Sequence, residues 1–111
     1  MSNQAGDGVF DALGEPARRR IVELLRDGPA PVGVLAARLP IGRPAVSKHL
    51  RILTGAGVVK YHSVGTRNVY ALAPEGLAAA RQWLVDSWDH ALSEYAAHVS
   101  EHTSEHIGEA P

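Results

Sequence analysis

A tight break between two short helical patterns is the feature that most limits what this chain of 111 residues can fold into. The first pattern covers residues 31–39, and the second covers residues 43–54 after the sequence Pro40-Ile41-Gly42. Gly55 and Gly57 then supply the left-handed conformation at which helices commonly stop. The apolar residues of the second pattern recur at i, i+4 and i+7, the spacing of one buried stripe: they are Val46, Leu50 and Leu53. Two short helices joined in this way predict a helix-turn-helix.

Two alternating segments follow these helices and predict a β-hairpin. Residues 58–63 and 67–72 alternate in polarity around a turn at Val64-Gly65-Thr66. Basic and hydrogen-bonding side chains concentrate near the tip of this hairpin: Lys60, His62, Ser63, Thr66, Arg67 and Asn68. A hairpin directly after a helix-turn-helix is called a wing, so the predicted fold is mainly α with a small β-hairpin, a winged helix-turn-helix.

A single domain over residues 9–99 accounts for most of the chain, which is too short for two separate cores. The polar, Gly-rich residues 1–8 are expected to be a flexible N-terminus, and the polar residues 100–111 a disordered tail. Pro16 suits the first turn of a helix that ends at Gly28. The consecutive residues Arg18, Arg19 and Arg20 spread around that helix, so we expect a solvated face with an occasional phosphate contact.

The last helical pattern, over residues 74–99, is longer than a core of this size can cover, at about 39 Å for a rise of 1.5 Å per residue. Its stripe of large side chains, which includes Arg81, is spaced much like a coiled-coil seam. We expect a second copy of the chain to cover it, together with an apolar patch near the N-terminus. The predicted dimer interface comprises Val9, Phe10, Leu13, Leu77, Leu84, Trp88, Leu92, Tyr95 and Val99.

Charge is segregated along the chain although the net charge is only −1. Residues 28–74 contain no Asp or Glu, whereas residues 82–111 contain no Lys or Arg. The acid-free block, which we call the basic block, carries a formal charge of +6 from Arg38, Arg43, Lys48, Arg51, Lys60 and Arg67. A basic surface that coincides with a helix-turn-helix and a wing predicts binding to nucleic acid.

The exposed face of the second short helix holds the groups best suited to DNA. Arg43, Lys48 and Arg51 can contact guanine edges and phosphates, and Ser47 adds a short donor and acceptor. His49 lies between this face and the buried stripe, so we expect it to pack or bond locally and to touch a phosphate. On the wing, we expect DNA contacts from Lys60, His62, Thr66 and Arg67.

Other functional classes lack their characteristic residues. The chain has no cysteine, which excludes disulfides and thiolate metal sites. It also lacks a Gly-rich phosphate loop and a Ser/His/Asp arrangement, so the sequence predicts neither catalysis nor a cofactor. No apolar run reaches the roughly 18 residues of a membrane span, and the start of the chain lacks the features of a signal peptide. We therefore expect a cytoplasmic protein with no membrane partner.

Four segments of the chain carry a family resemblance. Residues 10–25, FDALGEPARRRIVELL, resemble the opening helices of the ArsR/SmtB family of bacterial winged-helix repressors. Residues 43–53, RPAVSKHLRIL, are similar to its recognition helix with the core Ser-x-His-Leu-x-x-Leu. Residues 56–59, AGVV, and residues 65–72, GTRNVYAL, resemble its wing. Together the similarity covers about residues 9 to 99 in a consistent order.

The resemblance implies a homodimer that binds an inverted-repeat operator in double-stranded DNA and represses transcription, often of its own gene. By position, Pro44 would face the major groove together with Arg43, Ser47, Lys48 and Arg51, and Arg67 would lie at the tip of the wing. In the family, a metal or another signal usually releases the DNA. This chain departs from the pattern because Pro31 and Gly33 occupy the positions of the thiolate ligands in cysteine-containing members.

Two alternatives and the identity of the inducer stay open. The last helix carries His90, His98, Glu101 and His102 as candidate ligands of a metal-responsive repressor, but Ser87 stands where the first half of the family's histidine pattern would be. Alternatively, the aromatic last helix of a winged-helix interaction module could bind a different protein. The inducer could be a small organic molecule or an atypical metal, or control could rest on expression level alone.

Overall fold

Two helices and a short strand precede the helix-turn-helix, and a β-hairpin and one long helix follow it. The computed structural model describes the backbone of residues 4–109 and the side chains of residues 8–100. The elements are α1 (Gln4–Leu13), α2 (Pro16–Leu25), β1 (Ala30–Pro31), α3 (Val32–Ala37), α4 (Arg43–Gly55), β2 (Val59–Val64), β3 (Arg67–Leu72) and α5 (Pro74–Glu109). They fall into two compact units, Met1–Ala80 and Arg81–Pro111, and the second unit consists of the greater part of α5.

The core of the first unit forms around α4. The predicted stripe of Val46, Leu50 and Leu53 is completely buried, which confirms the helical spacing read from the sequence. Ile21 from α2 and Leu35 from α3 are buried against the same cluster. Because α4 buries one face so completely, its opposite face is left to solvent, and that face carries the basic residues.

A three-stranded antiparallel sheet in the order β1-β3-β2 completes the first unit. The predicted hairpin is present, with Val59 opposite Leu72 and Val64 opposite Arg67. Strand β1 was not predicted, because two residues, one of them a proline, are too short to display an alternating pattern. Its pairing of Ala30 with Tyr70 ties the entry to α3 directly to the wing, which is the hairpin of β2 and β3.

Glycine is required at two positions where the turn after α4 meets the start of α5. Gly57 has a φ of 79°, in the left-handed region that other residues rarely adopt. Gly76, in the first turn of α5, lies so near this turn that a Cβ atom there would overlap the carbonyl group of Gly57. The two glycines therefore set how closely the start of α5 packs against the end of α4.

Helix boundaries at the two ends of the chain differ from the predicted ones. Helix α1 begins at Gln4 and so includes part of the segment expected to be flexible, because Val9 and Ala12 are buried in the core and stabilise it. Helix α5 continues past Val99 to Glu109, since no proline or glycine interrupts residues 100–107. Within residues 4–109, no helix has the length and apolar character that crossing a membrane requires.

Candidate nucleic-acid interface

Helix α4 presents the predicted DNA-contacting residues on one face. Arg43, Pro44, Lys48 and Arg51 are exposed, and Ser47 is half-buried at the edge of the same face. The helix starts after Gly42, whose extended backbone serves as the N-cap without a side-chain hydrogen bond, and Pro44 occupies the first turn. This face is free because the stripe of Val46, Leu50 and Leu53 on the opposite side of the helix is the one that is buried.

The wing exposes the polar groups that were predicted to contact DNA, which are Lys60, His62, Thr66 and Arg67. Thr66 and Arg67 lie at the tip of the hairpin, whereas Lys60 lies opposite Ala71 near its base and not near the tip as expected. Gly65, with a φ of 64°, allows the chain to reverse at the tip. The tip is also held by a hydrogen bond of 3.0 Å from the Ser63 hydroxyl to Oδ1 of Asn68. The middle of the wing is stiffened by Tyr61 and Tyr70, which face each other across the strands with ring centroids 5.3 Å apart.

A cleft of about 590 Å³ lies between the N-terminal part of α4 and the wing. Four predicted residues meet there: Arg43 and Ser47 line the α4 side, and Thr66 and Arg67 line the wing side. The remaining walls are Pro31, Val32, Gly33, Asn68 and Tyr70. Asn68 and Tyr70 belong to the predicted hairpin, whereas the β1–β3 pairing brings Pro31, Val32 and Gly33 to the cleft, and no local sequence signal marks these three.

Gly33 leaves room for the guanidinium group of Arg43. A Cβ atom on Gly33 would stand 3.7 Å from Nη1 of Arg43, which is ordinary van der Waals contact. The side chain of Arg43 therefore lies over the beginning of α3 and borders the cleft.

The positive charge of this surface has no ion-pair partner among the side chains of residues 8–100. In the part of the chain whose side chains are described, no basic residue of the basic block forms an ion pair or donates a side-chain hydrogen bond. By contrast, Arg20 and Glu23 on α2 form an ion pair at 3.4 Å. Five of the six cations belong to α4 or the wing and have their hydrogen-bonding capacity available to an external anion.

His49 is held by an arginine from another helix. Nη1 of Arg18 lies 3.2 Å from Nδ1 of His49, and Nε of Arg18 donates to the carbonyl oxygen of Ala12 at 2.5 Å. Because a guanidinium group only donates, Nδ1 accepts and the ring proton is assigned to Nε2. The local bonding expected of His49 is confirmed, and its phosphate contact stays a prediction. The expectation that Arg18 belongs to a solvated face is wrong, because its guanidinium group makes these two contacts.

The reason Arg18 turns inward lies at the end of α1. The last carbonyl groups of a helix have no partners within that helix and attract nearby donors. Arg18 binds Ala12, and Nη1 of Arg19 donates to the carbonyl oxygen of Leu13 at 2.8 Å. Arg19 and Arg20 keep the exposed position expected for all three, whereas Arg18 is half-buried. Arg18 thereby connects α1, α2 and α4.

The predicted dimer residues fall into three groups. Val9 has no exposed surface, because it is buried in the core of its own unit, so it is removed from the predicted interface. Leu13 and Leu77 are half-buried against that core. The remainder expose between 36% and 67% of their surface: Phe10, Leu84, Trp88, Leu92, Tyr95 and Val99.

The candidate metal ligands are not brought together in the described part of the chain. His90 and His98 are exposed on α5, and the side chains of Glu101 and His102 lie outside the described residues. Among the residues whose side chains are described, no three His, Cys, Asp or Glu groups are arranged to hold a metal ion.

Comparison with known proteins agrees with this geometry. A helix-turn-helix domain family matches residues 13–62. The HTH-type transcriptional regulator Rv2034 of Mycobacterium tuberculosis is 50% identical over 90 residues, which are 81% of this chain and 84% of that protein. The transcriptional repressor SdpR of Bacillus subtilis is 34% identical over 80 residues, covering 72% of this chain and 89% of that protein.

Solved structures show the same fold. An ArsR family transcriptional regulator superposes with a TM-score of 0.75 at 29% identity, over 84% of this chain and 96% of that one. A homodimeric winged helix-turn-helix DNA-binding domain from Mycobacterium bovis gives a TM-score of 0.62 at 26% identity, over 85% of this chain and 83% of that one. The extent of these similarities shows that the chain belongs to the ArsR/SmtB family of winged helix-turn-helix transcriptional regulators.

Proposed function

We propose that this protein is a homodimeric transcriptional repressor that binds an operator in double-stranded DNA. The observation that carries the proposal is the set of cations on α4 and the wing that have no partner among the described residues. Two similar proteins are named as a transcriptional regulator and a transcriptional repressor, and a similar structure is a homodimeric DNA-binding domain. Since its target is chromosomal DNA, we place the protein in the bacterial cytoplasm.

Helix α4 is the element suited to the major groove. Its exposed face carries Arg43, Ser47, Lys48 and Arg51 on about three turns, which matches the length of helix that a major groove admits. An arginine can bind O6 and N7 of guanine with two hydrogen bonds, whereas Lys48 acts as a point charge toward a base or a phosphate. Pro44 adds an apolar surface that can contact a thymine methyl group.

The wing is suited to the sugar-phosphate backbone next to that groove. Arg67 and Thr66 stand across the cleft from Arg43 and Ser47, so a phosphate entering the cleft would meet a cation on each side. Lys60 and His62 extend the basic surface along the hairpin. Contacts of this kind orient the protein on DNA without reading the sequence.

Two-fold symmetry of the dimer would be matched by the operator. The half-sites of an inverted repeat are expected about one helical turn, 10–10.5 bp, apart or at a multiple of that distance. Bound over a promoter, such a dimer excludes the transcription machinery, and a site upstream of its own gene would make the protein an autorepressor.

Binding measured against salt concentration tests the electrostatic part of the proposal. If about six phosphates are neutralised per dimer, the logarithm of the association constant should fall with the logarithm of salt concentration at a slope near −5. We expect Arg43→Ala or Lys48→Ala to weaken specific binding by about 1–3 kcal/mol, which is about 5- to 150-fold. A salt slope near zero would contradict DNA binding through this surface.

Arg26→Ala is the matched control for these variants. Arg26 is an exposed arginine just after α2, outside both α4 and the wing, and its removal changes the net charge by the same amount. Affinity for the operator should change by less than about threefold. Equal losses in Arg26→Ala and Arg43→Ala would mean that net charge, and not the α4 surface, governs binding.

The exposed aromatic residues of α5 favour a second candidate function, binding to a different protein. Trp88 and Tyr95 expose 66% and 67% of their surface, more than folded proteins usually leave open for large aromatic groups. In that case Arg43→Ala would leave the activity intact, whereas Trp88→Ala would abolish a complex with another protein. The uncompensated basic surface favours DNA binding over this candidate.

A further inference from the structure

The cleft between α4 and the wing has the size and the lining of a site for a small molecule. Its volume of about 590 Å³ lies within the range of about 300–1,000 Å³ that is typical of ligand sites. Contact with a DNA phosphate needs only cations and hydrogen-bond donors on an open surface. This cleft has an apolar wall as well, formed by Pro31, Val32 and Tyr70. It therefore offers more than the DNA backbone can use.

We propose that the cleft binds a small phosphate monoester that carries a flat ring, and that this ligand competes with DNA for Arg43 and Arg67. The proposal rests on the proposed function, and it adds the chemical class of an inducer and the site at which the inducer acts. A ligand bound here releases the operator by occupying two cations that the operator needs, so release requires no change of fold.

The charge of the cleft favours a phosphate monoester. Arg43 and Arg67 line its two sides, and all its walls come from residues 28–74, which contain no Asp or Glu. Among the described side chains, neither arginine forms an ion pair or donates a hydrogen bond. A phosphate monoester carries a charge of about −1.5 to −2 at pH 7, whereas a phosphate of a DNA backbone carries a single negative charge. Two guanidinium groups therefore balance the monoester better than one backbone phosphate.

Neutral hydrogen-bonding groups accompany the two arginines. Ser47 lines the α4 side of the cleft, and Thr66 lines the wing side. Asn68 accepts a hydrogen bond from the Ser63 hydroxyl at Oδ1, which leaves its amide N–H groups to donate to a ligand. Arginines bind phosphate oxygens through paired N–H donors. The hydroxyl and amide groups can then serve the phosphate oxygens that the arginines leave.

The ring of the ligand is expected to lie against Tyr70. This tyrosine is half-buried, and its ring is held by Tyr61 at a centroid distance of 5.3 Å. Tyr61 does not itself line the cleft, so part of the Tyr70 surface is left to a ligand. Flat rings pack on aromatic side chains in offset or edge-to-face arrangements. Pro31 and Val32 add apolar surface for the same ring. An anion without a ring would leave this wall unused.

Gly33 allows the cleft to be filled without removing any of its polar groups. A Cβ atom there would stand in ordinary contact with Nη1 of Arg43, at 3.7 Å, and the backbone of Gly33 is not in the left-handed region. Leucine also favours a helix more than glycine does, so Gly33→Leu should fold. Gly55→Leu is the matched control, because Gly55 is exposed at the opposite end of α4 and has no atom within 4 Å of an added Cβ.

NMR titration of the full, isotope-labelled chain tests the site without DNA. The probes are phenyl phosphate and adenosine 5′-monophosphate (AMP). Both should shift the backbone amide signals of Gly33, Thr66 and Asn68 and leave that of Gly55 in place. Inorganic phosphate and adenosine each lack one half of the proposed ligand, so each should bind at least about tenfold more weakly than AMP. Gly33→Leu should weaken binding of AMP by more than about tenfold, and Gly55→Leu should change it by less than about twofold.

Four results would overturn the ligand site. Absence of shifts at the cleft with both ring-bearing probes would remove it altogether, as would full binding of AMP to Gly33→Leu. Equal affinity for AMP and inorganic phosphate would mean that the apolar wall selects nothing. Tighter binding of benzoate than of phenyl phosphate would refute the assignment to a phosphate monoester.

Competition is measured on a duplex that carries the inverted repeat. With AMP at about ten times its dissociation constant, affinity for this duplex should fall by at least about tenfold. The affinity of Gly33→Leu, whatever its starting value, should not respond to AMP. Binding of AMP in the cleft with no loss of DNA affinity would overturn the competition.

The two measurements keep the ligand site separate from the proposed function. A chain that binds the inverted repeat but neither ring-bearing probe would refute the ligand site alone. A chain that binds AMP in the cleft but no DNA would refute the repressor and the competition.

Discussion

Replacing Arg18 by alanine should destabilise the protein far more than an exposed arginine would. The guanidinium group makes two hydrogen bonds, to the carbonyl oxygen of Ala12 and to Nδ1 of His49. Ala12 is only 2% exposed, so its carbonyl oxygen has poor access to water once the arginine is removed. A hydrogen bond from a charged donor contributes about 1.5–3 kcal/mol. Allowing for the partial exposure of Arg18, we expect a loss of about 2–3 kcal/mol from the free energy of unfolding.

The loss can be measured as a shift of the urea midpoint followed by circular dichroism. With a slope of about 2 kcal/mol per M for a chain of this size, the midpoint should fall by about 1–1.5 M. All variants must be compared at the same protein concentration, because dimerisation contributes to apparent stability. Arg20→Ala is the matched control: it removes the same charge from the same helix and breaks an ion pair whose side chains are 54% and 46% exposed. Its expected cost is below about 0.5 kcal/mol.

A double-mutant cycle separates the contact with His49 from the contact with Ala12. Arg18→Ala and His49→Ala should be non-additive by about 0.5–1.5 kcal/mol, because each removes the same hydrogen bond. Equal effects of Arg18→Ala and Arg20→Ala, or strict additivity with His49→Ala, would refute the role given to Arg18 in joining α1 to α4.

Two further predictions concern the core and the turn after α4, and both can be followed by thermal unfolding. Leu50→Ala should lower the free energy of unfolding by about 2–5 kcal/mol, because Leu50 is completely buried. Ile52→Ala on the same helix should lower it by less than about 1 kcal/mol, because Ile52 is 37% exposed. Similar losses in the two variants would contradict the assigned core. Gly76→Ala should destabilise by more than about 2 kcal/mol, because the new methyl group would overlap the carbonyl group of Gly57. Gly55→Ala is the control, because no atom lies near its added Cβ, and it should be neutral or stabilise the protein by up to about 1 kcal/mol. If Gly76→Ala were tolerated as well, the close packing of α5 on the turn would be refuted.

The elements with a strong periodic pattern could be predicted from the sequence. Helix α4 was predicted over residues 43–54 and spans Arg43–Gly55, because its buried stripe and following glycines define both its face and its end. The hairpin followed in the same way from alternation on either side of Gly65. The exposed face of α4 could be predicted from the same stripe, because burying one side of a helix leaves the other side in solvent.

Features that depend on tertiary contacts could not be predicted. The bond between Arg18 and His49 joins residues 31 positions apart, and nothing in the run of three arginines distinguishes the first from the others. Strand β1 is too short for a pattern, so the cleft that it helps to form was also missed. Burial of Val9 depends on how α1 packs on its neighbours, and the sequence showed only that the residue is apolar.

Affinity selection of sheared genomic DNA with the purified protein at about 150 mM salt, followed by sequencing, tests the central claim most directly. Sequence-specific binding by a homodimer predicts enrichment of an inverted repeat with half-sites about 10–10.5 bp apart or at a multiple of that distance. The variant with Arg43, Lys48 and Arg51 all changed to alanine should lose this enrichment. Recovery of DNA without a shared motif, or an unchanged motif in the triple variant, would contradict the claim that α4 reads the operator.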